Sequence, residues 1–213
     1  MRPRLYYITD RRQFPGEARE QERLLLAKIA ECAAAGVDYI QLREMELCTR
    51  ALEELAHQAR AALGGTGTRL LINSRTDIAL ACGAHGVHLP GNDLQASEVR
   101  TIFDRANLAA PLIALSVHSA ADVAYAEAHG ADFPVFAPVF EKGGAQNPAG
   151  LEQLRQICRR TVAAAPPMAV FALGGITLEN ARQCLEAGAA GIAGIRLFQE
   201  NPAGKVVRSL RGE

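Results

Sequence analysis

The stretch AAAGVDYIQL, residues 33–42, runs from small residues through Gly36 into a short apolar segment. This pattern predicts a helix that ends at a glycine able to take positive φ, followed by a strand buried on both faces. Three similar stretches follow it along the chain: ACGAHGVHL at 81–89, AHGADFPVF at 128–136 and EAGAAGIAGI at 186–195. The sequence therefore indicates a βα unit that repeats.

The spacing of these junctions indicates how many strands the chain contains. Gly36, Gly83 and Gly130 lie 47 residues apart and Gly188 lies 58 residues further on, which leaves room for two strands and two helices in each interval. The predicted strands are Arg4–Thr9, Val37–Leu42, Arg69–Ile72, Gly86–Leu89, Leu112–Ser116, Phe133–Phe136, Met168–Leu173 and Gly191–Ile195. Eight strands alternating with helices predict an α/β fold, a single-domain (β/α)8 TIM barrel over residues 1–213. Such barrels carry their chemistry at the carboxyl ends of the strands.

Charge and composition narrow the classes of partner. The chain has 23 basic and 23 acidic residues, a balance that gives no reason to expect nucleic acid or a membrane as partner. A homo-oligomer is compatible with the sequence. The five cysteines include no CxxC pair, which predicts buried free thiols in a reducing compartment. The first apolar stretch ends at Asp10 and is too short for a signal-peptide core, so a cytoplasmic location is expected.

The strongest local signal is a pair of glycine-rich strand ends. ALGGIT closes the seventh predicted strand, and GIAGIR closes the eighth. TIM barrels often bind phosphate with these two loops, because glycine lets backbone N–H groups approach an anion. Gly174 and Gly175 are therefore predicted to bind phosphate, with Arg196 adding a charge-assisted contact. The alternatives are a simple tight turn at the glycines and a surface ion pair for Arg196.

The end of the fifth predicted strand carries a candidate for proton transfer. In SVHS, His118 stands between hydroxyl residues, and an imidazole in the barrel mouth is suited to acid–base work near neutral pH. Ser119 is equally a candidate N-cap for the next helix, which would leave His118 as an ordinary loop residue. His88 alternates with apolar neighbours, so we expect it to be a core histidine facing the barrel interior or the helix layer.

Polar residues also close the second, third and fourth strands. QLRE places Arg43 and Glu44 where they can bind an anion or act as acid or base, with a structural ion pair as the alternative. Asn73 can donate and accept hydrogen bonds at once, which suits an orienting role. Asp93 alone is a weak metal candidate, because Mg²⁺ usually needs a second ligand or substrate phosphates. The glycine-rich stretch at 141–150 predicts a mobile lid.

Taken in order, these segments resemble a known family. The succession YITD, QLRE, LLINSRTDIAL, HGVHLPGND, SVHS, PVF, ALGGIT and AGIRLF is similar to the thiamine-phosphate synthase and TenI-like thiazole tautomerase superfamily over nearly the whole chain. The resemblance implies a barrel that binds a thiazole phosphate at Gly174, Gly175 and the segment around Ile195 and Arg196. For a synthase it also implies a pyrimidine diphosphate, held by a cationic motif on strand two, by Mg²⁺ on two aspartates and by a loop with threonines and a lysine after strand six.

The sequence departs from that synthase pattern in three places. Met45 stands where the pattern has lysine, Ser74 replaces the first metal-binding aspartate, and EKGGAQNPAG lacks the threonines. Asp93 keeps its matching position, and Lys142 is a partial replacement for the missing loop cation. A thiazole tautomerase of the same fold needs no diphosphate and no metal, and His118 matches the histidine expected to move the proton there.

The resemblance and these departures predict an enzyme of thiamine biosynthesis, with a thiazole tautomerase as the first hypothesis. His118 would act as acid and base without a cofactor, and the substrate, a carboxythiazole phosphate, would also contact Arg43, Glu44, Asn73 and Ser116. A Mg²⁺-dependent thiamine-phosphate synthase is the main alternative. A non-catalytic binder of thiamine precursors and a phosphosugar-isomerase barrel are the remaining hypotheses.

Overall fold

Eight short parallel strands form the centre of the molecule. They are β1 (Arg4–Ile8), β2 (Tyr39–Leu42), β3 (Arg69–Asn73), β4 (Gly86–Leu89), β5 (Leu112–Val117), β6 (Phe133–Phe136), β7 (Phe171–Ala172) and β8 (Gly191–Gly194). The computed structural model describes residues 2–141, 148–162 and 167–212. Each strand pairs with the next along the chain, and β8 pairs with β1, with Gly194 opposite Tyr7, so the barrel is closed. The predicted TIM barrel is confirmed.

Helices connect the strands and cover the outside of the barrel. They are α1 (Ala18–Ala34), α2 (Thr49–Ala62), α3 (Thr76–Ala81), α4 (Ala96–Arg105), α5 (Ala120–Ala128), α6 (Pro148–Val162), α7 (Ala181–Glu186), α8 (Arg196–Gln199) and α9 (Ala203–Arg211), and a short 3-10 helix, Arg11–Gln13, follows β1. Among the helices described here, none has both the length and the apolar character that crossing a membrane requires.

The four junction glycines end their helices as predicted. Gly36, Gly83, Gly130 and Gly188 all have φ between 64° and 105°. At the first junction the N–H of Val37 bonds to Cys32 O at 3.0 Å, so Val37 belongs to the helix cap. For this reason β2 begins at Tyr39, two residues later than predicted.

Five other strands also differ from their predicted bounds. β1 and β8 each end one residue earlier than predicted, and β5 ends one residue later, at Val117. β7 covers only Phe171–Ala172, shorter than the predicted Met168–Leu173. Its pairing continues as isolated bonds beyond the strand, since Leu173 N–H bonds to Phe136 O at 2.9 Å. β3 reaches Asn73, one residue further than predicted. These differences leave the order of the strands unchanged.

Alternation along each strand divides the core into two layers. On β1, Leu5 and Tyr7 face the helices, whereas Tyr6 faces the barrel interior. Inside the barrel four aromatic rings pack together, with Tyr6 5.9 Å from Tyr39 and Phe133 4.6 Å from Phe171 between ring centroids. Large rings bury much apolar area and prefer such tilted or edge contacts. They fill this part of the barrel interior, so a ligand that enters from the carboxyl ends of the strands lies above them.

Candidate active site

A layer of polar side chains lies above the aromatic rings. Side chains two residues apart on a strand point the same way, so the residue two beyond an interior ring also faces the barrel interior. The members of this layer are Gln41 on β2, Asn73 on β3, His88 on β4 and Ser116 on β5. Gln41, for example, lies two residues beyond Tyr39, and Asn73 lies two beyond Leu71. The barrel therefore changes from apolar to polar toward the carboxyl ends of its strands, where this fold places its chemistry.

Gln41 and Asn73 are joined inside this layer. Gln41 is 2% exposed, and its Nε2 donates to Asn73 Oδ1 at 2.8 Å. Gln41 Oε1 is buried and accepts no hydrogen bond from the described part of the chain. A buried acceptor without a partner costs free energy, so this oxygen is suited to receive a donor from a ligand. Gln41 was missed in the sequence analysis, although its alternation with Tyr39 pointed to it.

His88 is held on both sides by hydroxyl groups. Its Nδ1 lies 2.9 Å from Tyr6 Oη, and its Nε2 lies 2.8 Å from Ser116 Oγ. Burial lowers the pKa of His88 to about 3, and the positive charge of Arg43 acts in the same direction. The ring is therefore neutral at physiological pH. The expectation of a core histidine facing the barrel interior is confirmed.

Arg43 is half-buried at the end of β2, and its backbone N–H donates to Thr9 Oγ1 at 2.9 Å. Its guanidinium makes no hydrogen bond or ion pair with any residue in the described ranges. Arg43 directly follows β2 and lies two residues beyond Gln41 of the polar layer. An unpaired guanidinium at a barrel mouth is well suited to a carboxylate or phosphate.

Glu44 is turned into the protein, in contrast to the substrate contact expected for it. The side chain is 1% exposed. Its Oε1 accepts from Thr9 Oγ1 at 2.5 Å, and its Oε2 accepts from the backbone N–H of Arg11 at 3.0 Å. The carboxylate thus fastens the end of β1 to the end of β2. Thr9 Oγ1 forms hydrogen bonds with both Glu44 and the backbone N–H of Arg43. The sequence did not point to Thr9.

The pKa of Glu44 is raised to about 7, mainly by burial; the neighbouring carboxylates Glu46 and Asp10 also raise it, and the hydrogen bonds from Thr9 and Arg11 lower it. The Arg11 guanidinium lies closer to Glu46 Oε1, at 2.9 Å, than to Glu44 Oε2, at 3.8 Å. Desolvation of the carboxylate dominates here. Glu44 therefore holds a proton over part of the neutral pH range.

The predicted phosphate loops present backbone donors that have no partner among the described residues. Gly174 and Gly175 have φ of 100° and 60°. A Cβ on Gly175 would lie 2.2 Å from Glu141 O, so the loop after β7 admits only glycine there. Within the described residues, the N–H groups of Gly175, Ile195 and Arg196 make no hydrogen bond. Such donors, at the loops after strands seven and eight, are what an anion needs.

Arg196 begins α8 and is exposed. Its guanidinium has no ion-pair partner among the residues that the structure describes, so the surface ion pair considered as an alternative is absent from that part of the chain. The side chain is free to add a charge-assisted contact to an anion at the neighbouring loop.

His118 is exposed just beyond the end of β5. Its Nδ1 lies 2.7 Å from Ala137 O, and its backbone N–H donates to Asp122 Oδ2 at 2.8 Å. A carbonyl oxygen can only accept, so Nδ1 carries a proton and the neutral ring offers a lone pair at Nε2. Ser119 caps α5 as predicted, because its Oγ accepts from Asp122 N–H at 3.2 Å.

The candidate metal ligands are sparse. Asp93 is half-buried, and its Oδ1 accepts from Leu94 N–H at 2.8 Å. Ser74 has φ of 60° and offers a hydroxyl where the synthase pattern has a carboxylate. Across residues 2–141, 148–162 and 167–212, no group of three or more His, Cys, Asp or Glu is placed to hold a metal. A lone carboxylate suits Mg²⁺ only together with substrate phosphates.

The predicted Lys142 contact lies outside the described residues, as do most of the residues of the predicted lid at 141–150.

Comparison with known proteins places this barrel in a family. Residues 5–198 match the family described as thiamine monophosphate synthase. A Geobacter sulfurreducens protein, provisionally named a thiamine-phosphate synthase, is 41% identical over 201 residues, covering 93% of this chain and 87% of the relative. The thiamine-phosphate synthase of Methanoculleus marisnigri is 36% identical over 97% of this chain and 93% of its own length.

A solved structure agrees with these sequence relatives. The thiamine phosphate pyrophosphorylase from Pyrococcus furiosus superposes with a TM-score of 0.78 at 30% identity, covering 98% of this chain and 94% of that one. The similarity thus extends over the full barrel and both of its predicted phosphate loops. This chain belongs to the thiamine monophosphate synthase family and is an enzyme of thiamine biosynthesis.

Proposed function

We propose that the protein is a thiamine-phosphate synthase, a transferase that joins a thiazole phosphate to an aminopyrimidine methyl diphosphate and releases diphosphate. The observation that carries this proposal is its similarity, over nearly its whole length, to relatives named for that activity. It reverses the order of the two hypotheses drawn from the sequence, in which the tautomerase came first. The residues Met45 and Ser74 and the sequence EKGGAQNPAG remain the features that distinguish this chain from the synthase pattern.

The thiazole phosphate would bind at the loops after β7 and β8. The N–H groups of Gly175, Ile195 and Arg196, which have no partner in the described part of the chain, supply donors, and the Arg196 guanidinium supplies charge. Phosphate binding by backbone donors and an arginine fixes the ring without a covalent bond. The thiazole nitrogen would then face the polar layer, where the second substrate is bound.

The pyrimidine diphosphate would occupy the polar layer and the β2 end. Gln41, Asn73 and Ser116 offer donors and acceptors to a heterocycle, and the unpaired Arg43 offers a bidentate partner for the diphosphate. When the bond from the methylene carbon to the diphosphate oxygen breaks, negative charge grows on the leaving group. Arg43 stabilises that charge, and the thiazole nitrogen donates its electron pair to the methylene carbon.

A Mg²⁺ ion would be held by Asp93 and the hydroxyl of Ser74 together with oxygens of the diphosphate, where it would neutralise part of the leaving-group charge. The donor set is consistent with an ion that arrives with the substrate and is not held tightly by the protein alone. Asn73, adjacent to Ser74, would orient these groups through its bond to Gln41.

A thiazole tautomerase is the second candidate, and one observation favours it. His118 is fixed through Nδ1 and leaves Nε2 open, as a proton-transfer group requires. Arg43 would then anchor the carboxylate of a carboxythiazole phosphate. The two functions share the phosphate loops and differ in whether diphosphate leaves.

One coupled assay separates the candidates. The protein is mixed with the thiazole phosphate tautomer, with and without the pyrimidine diphosphate and Mg²⁺, and diphosphate release and ring aromatisation are scored separately. We expect diphosphate release that requires both substrates and is lost in Arg43→Gln but kept in Met45→Ala, which alters an exposed neighbour. Aromatisation without diphosphate release would replace the synthase by the tautomerase, and binding without either reaction would indicate a non-catalytic binder.

The cysteines fit a cytoplasmic location, which we retain as a proposal. Four of the five are buried with free thiols, namely Cys32, Cys82, Cys158 and Cys184. Cys48 is exposed. An exposed free thiol persists most readily in a reducing compartment.

A further inference from the structure

Three side chains from three different strands form a continuous hydrogen-bonded chain inside the barrel. Tyr6 Oη on β1 lies 2.9 Å from His88 Nδ1 on β4, and His88 Nε2 lies 2.8 Å from Ser116 Oγ on β5. Tyr6 is 0% exposed and His88 is 3% exposed, whereas Ser116 is half-buried. The chain therefore runs from the closed interior toward the barrel mouth.

The closed end of the chain decides where the protons lie. Tyr6 Oη has His88 Nδ1 as its hydrogen-bond partner, and within the described residues it has no other. If Nδ1 carried the ring proton, the phenol hydrogen would be buried without an acceptor, which is costly. Tyr6 must therefore donate to Nδ1, and the proton of the neutral His88 ring must sit on Nε2.

The position of the ring proton also fixes the direction of the hydrogen bond between His88 and Ser116. His88 Nε2–H donates to Ser116 Oγ, so the hydroxyl oxygen receives a hydrogen bond from the interior and its own hydrogen is released toward the mouth. Burial and the nearby charge of Arg43 both keep His88 neutral. A cationic ring would have two N–H groups and would lose the bond from Tyr6.

We propose that Tyr6 and His88 are positioning residues that hold Ser116 Oγ and direct its O–H hydrogen toward the mouth, so that the barrel favours a ligand with an acceptor atom, such as a ring nitrogen, at that point. The inference rests on the proposed function only in assuming that a thiamine precursor occupies the mouth. It adds a direction to the site: His88 occupies one lone pair of Ser116 Oγ, so the O–H hydrogen of Ser116 is left to donate to an acceptor atom of the ligand.

The first test measures the ring proton directly and needs no ligand. In ¹⁵N-labelled protein, the imidazole nitrogen resonances distinguish a protonated from a bare nitrogen, and His88 is assigned among the five histidines by single substitution of the other four, such as His57→Gln. We expect the proton on Nε2 in the parent and a changed Nδ1 resonance in Tyr6→Phe. A proton on Nδ1 in the parent would overturn the proposal.

The second test measures ligand affinity by calorimetry with the thiazole phosphate and the pyrimidine diphosphate as probes. Ser116→Ala should weaken binding of one probe roughly tenfold, and Tyr6→Phe should weaken the same probe about threefold, as expected for losing one hydrogen bond and for loosening it. Tyr7→Phe is the matched control, because Tyr7 Oη is buried and makes no hydrogen bond in the described part of the chain.

The outcomes remain distinguishable from those of the proposed function. Equal effects of Tyr6→Phe and Tyr7→Phe on affinity would overturn the positioning role. The same conclusion would follow if Ser116→Thr, which keeps the hydroxyl, folded normally but bound the probe as weakly as Ser116→Ala. If neither probe binds the parent, the proposed function fails. The ring resonances of His88 still decide whether the hydrogen bonds are donated in the order Tyr6 to His88 to Ser116.

Discussion

His118 Nδ1 lies 2.7 Å from Ala137 O, which joins the end of β5 to the segment that follows β6. Because the carbonyl oxygen can only accept, this bond fixes both the tautomer and the orientation of an otherwise exposed ring. Nε2, which has no hydrogen-bond partner among the described residues, is therefore at a fixed place for proton transfer.

Replacing His118 by glutamine tests whether that nitrogen is used. We expect His118→Gln to lower any thiazole tautomerisation by about 10²–10⁴-fold, the usual contribution of a general acid–base group. Diphosphate release should fall much less, since that step requires charge stabilisation more than proton transfer. Both activities are measured on the same preparations, with His57→Gln on the exposed face of α2 as control. A tautomerisation rate equal to that of the parent, with chemistry limiting, would remove His118 from the mechanism.

Alanine variants of two glycines with similar backbone angles test whether the loop after β7 binds phosphate. Gly175 has φ of 60° and Gly83 has φ of 64°, but only at Gly175 would a Cβ meet other atoms, with Glu141 O at 2.2 Å. Either alanine variant should lose about 1–2 kcal/mol of unfolding free energy from the left-handed backbone alone. Gly175→Ala should in addition displace the loop and weaken thiazole phosphate binding by more than tenfold.

Thermal melting and calorimetry report the two quantities separately. If Gly175→Ala and Gly83→Ala bind the thiazole phosphate equally well, the phosphate does not sit at the loop after β7.

The sparse metal site predicts a gain of function. Ser74→Asp, combined with Met45→Lys, should raise the affinity for the pyrimidine diphosphate about tenfold in a Mg²⁺-dependent way, because it adds a carboxylate for the metal and a cation for the diphosphate. Aspartate is tolerated at the φ of 60° that Ser74 adopts. Affinity is measured with and without Mg²⁺, and Ser97→Asp on the exposed surface of α4 is the control. Loss of affinity in the double variant would show that Ser74 does not occupy the metal position.

Glu44 predicts a pH dependence of stability. Its pKa is raised from 4.5 to about 7 by burial, so between these values the folded protein holds a proton that the unfolded chain has released. Stability from this group is therefore full below pH 4.5 and falls as the pH rises through 7, by on the order of 3 kcal/mol. Glu44→Gln should lack this component.

Urea unfolding at pH 5 and pH 7.5 measures the effect as the difference between parent and variant, which removes the contributions of other groups. Glu54→Gln, which changes an exposed carboxylate on α2, should keep the parent's slope. Parallel curves for Glu44→Gln and the parent would contradict the raised pKa.

Much of the fold could be predicted because its signals are local. The glycine that ends a helix and the apolar run after it are set by neighbouring residues, so Gly36 and its three counterparts marked the junctions correctly. The strand bounds were less predictable. Val37 is apolar like a strand residue, yet its N–H completes the cap of α1, and only the hydrogen bond to Cys32 reveals this.

The site was predictable in part for the same reason. Residues that follow each strand were expected at one rim, and Arg43, Asn73, Ser116 and His118 lie at the carboxyl ends of their strands. Glu44 also follows a strand, but its carboxylate turns inward to Thr9 and the backbone of Arg11. The sequence contains no signal for that turn, because its partners lie on another strand.

The sequence by itself determined the closed barrel, the position of the glycine loops after β7 and β8, and the set of polar residues at the strand ends, since each depends on a local period or a single glycine. Only the tertiary structure decided which of those residues meet. Tyr6 and His88 are 82 residues apart, and His88 and Ser116 are 28 apart. Their hydrogen bonds exist because barrel closure brings β1, β4 and β5 around one interior, and burial there leaves each proton a single favourable position.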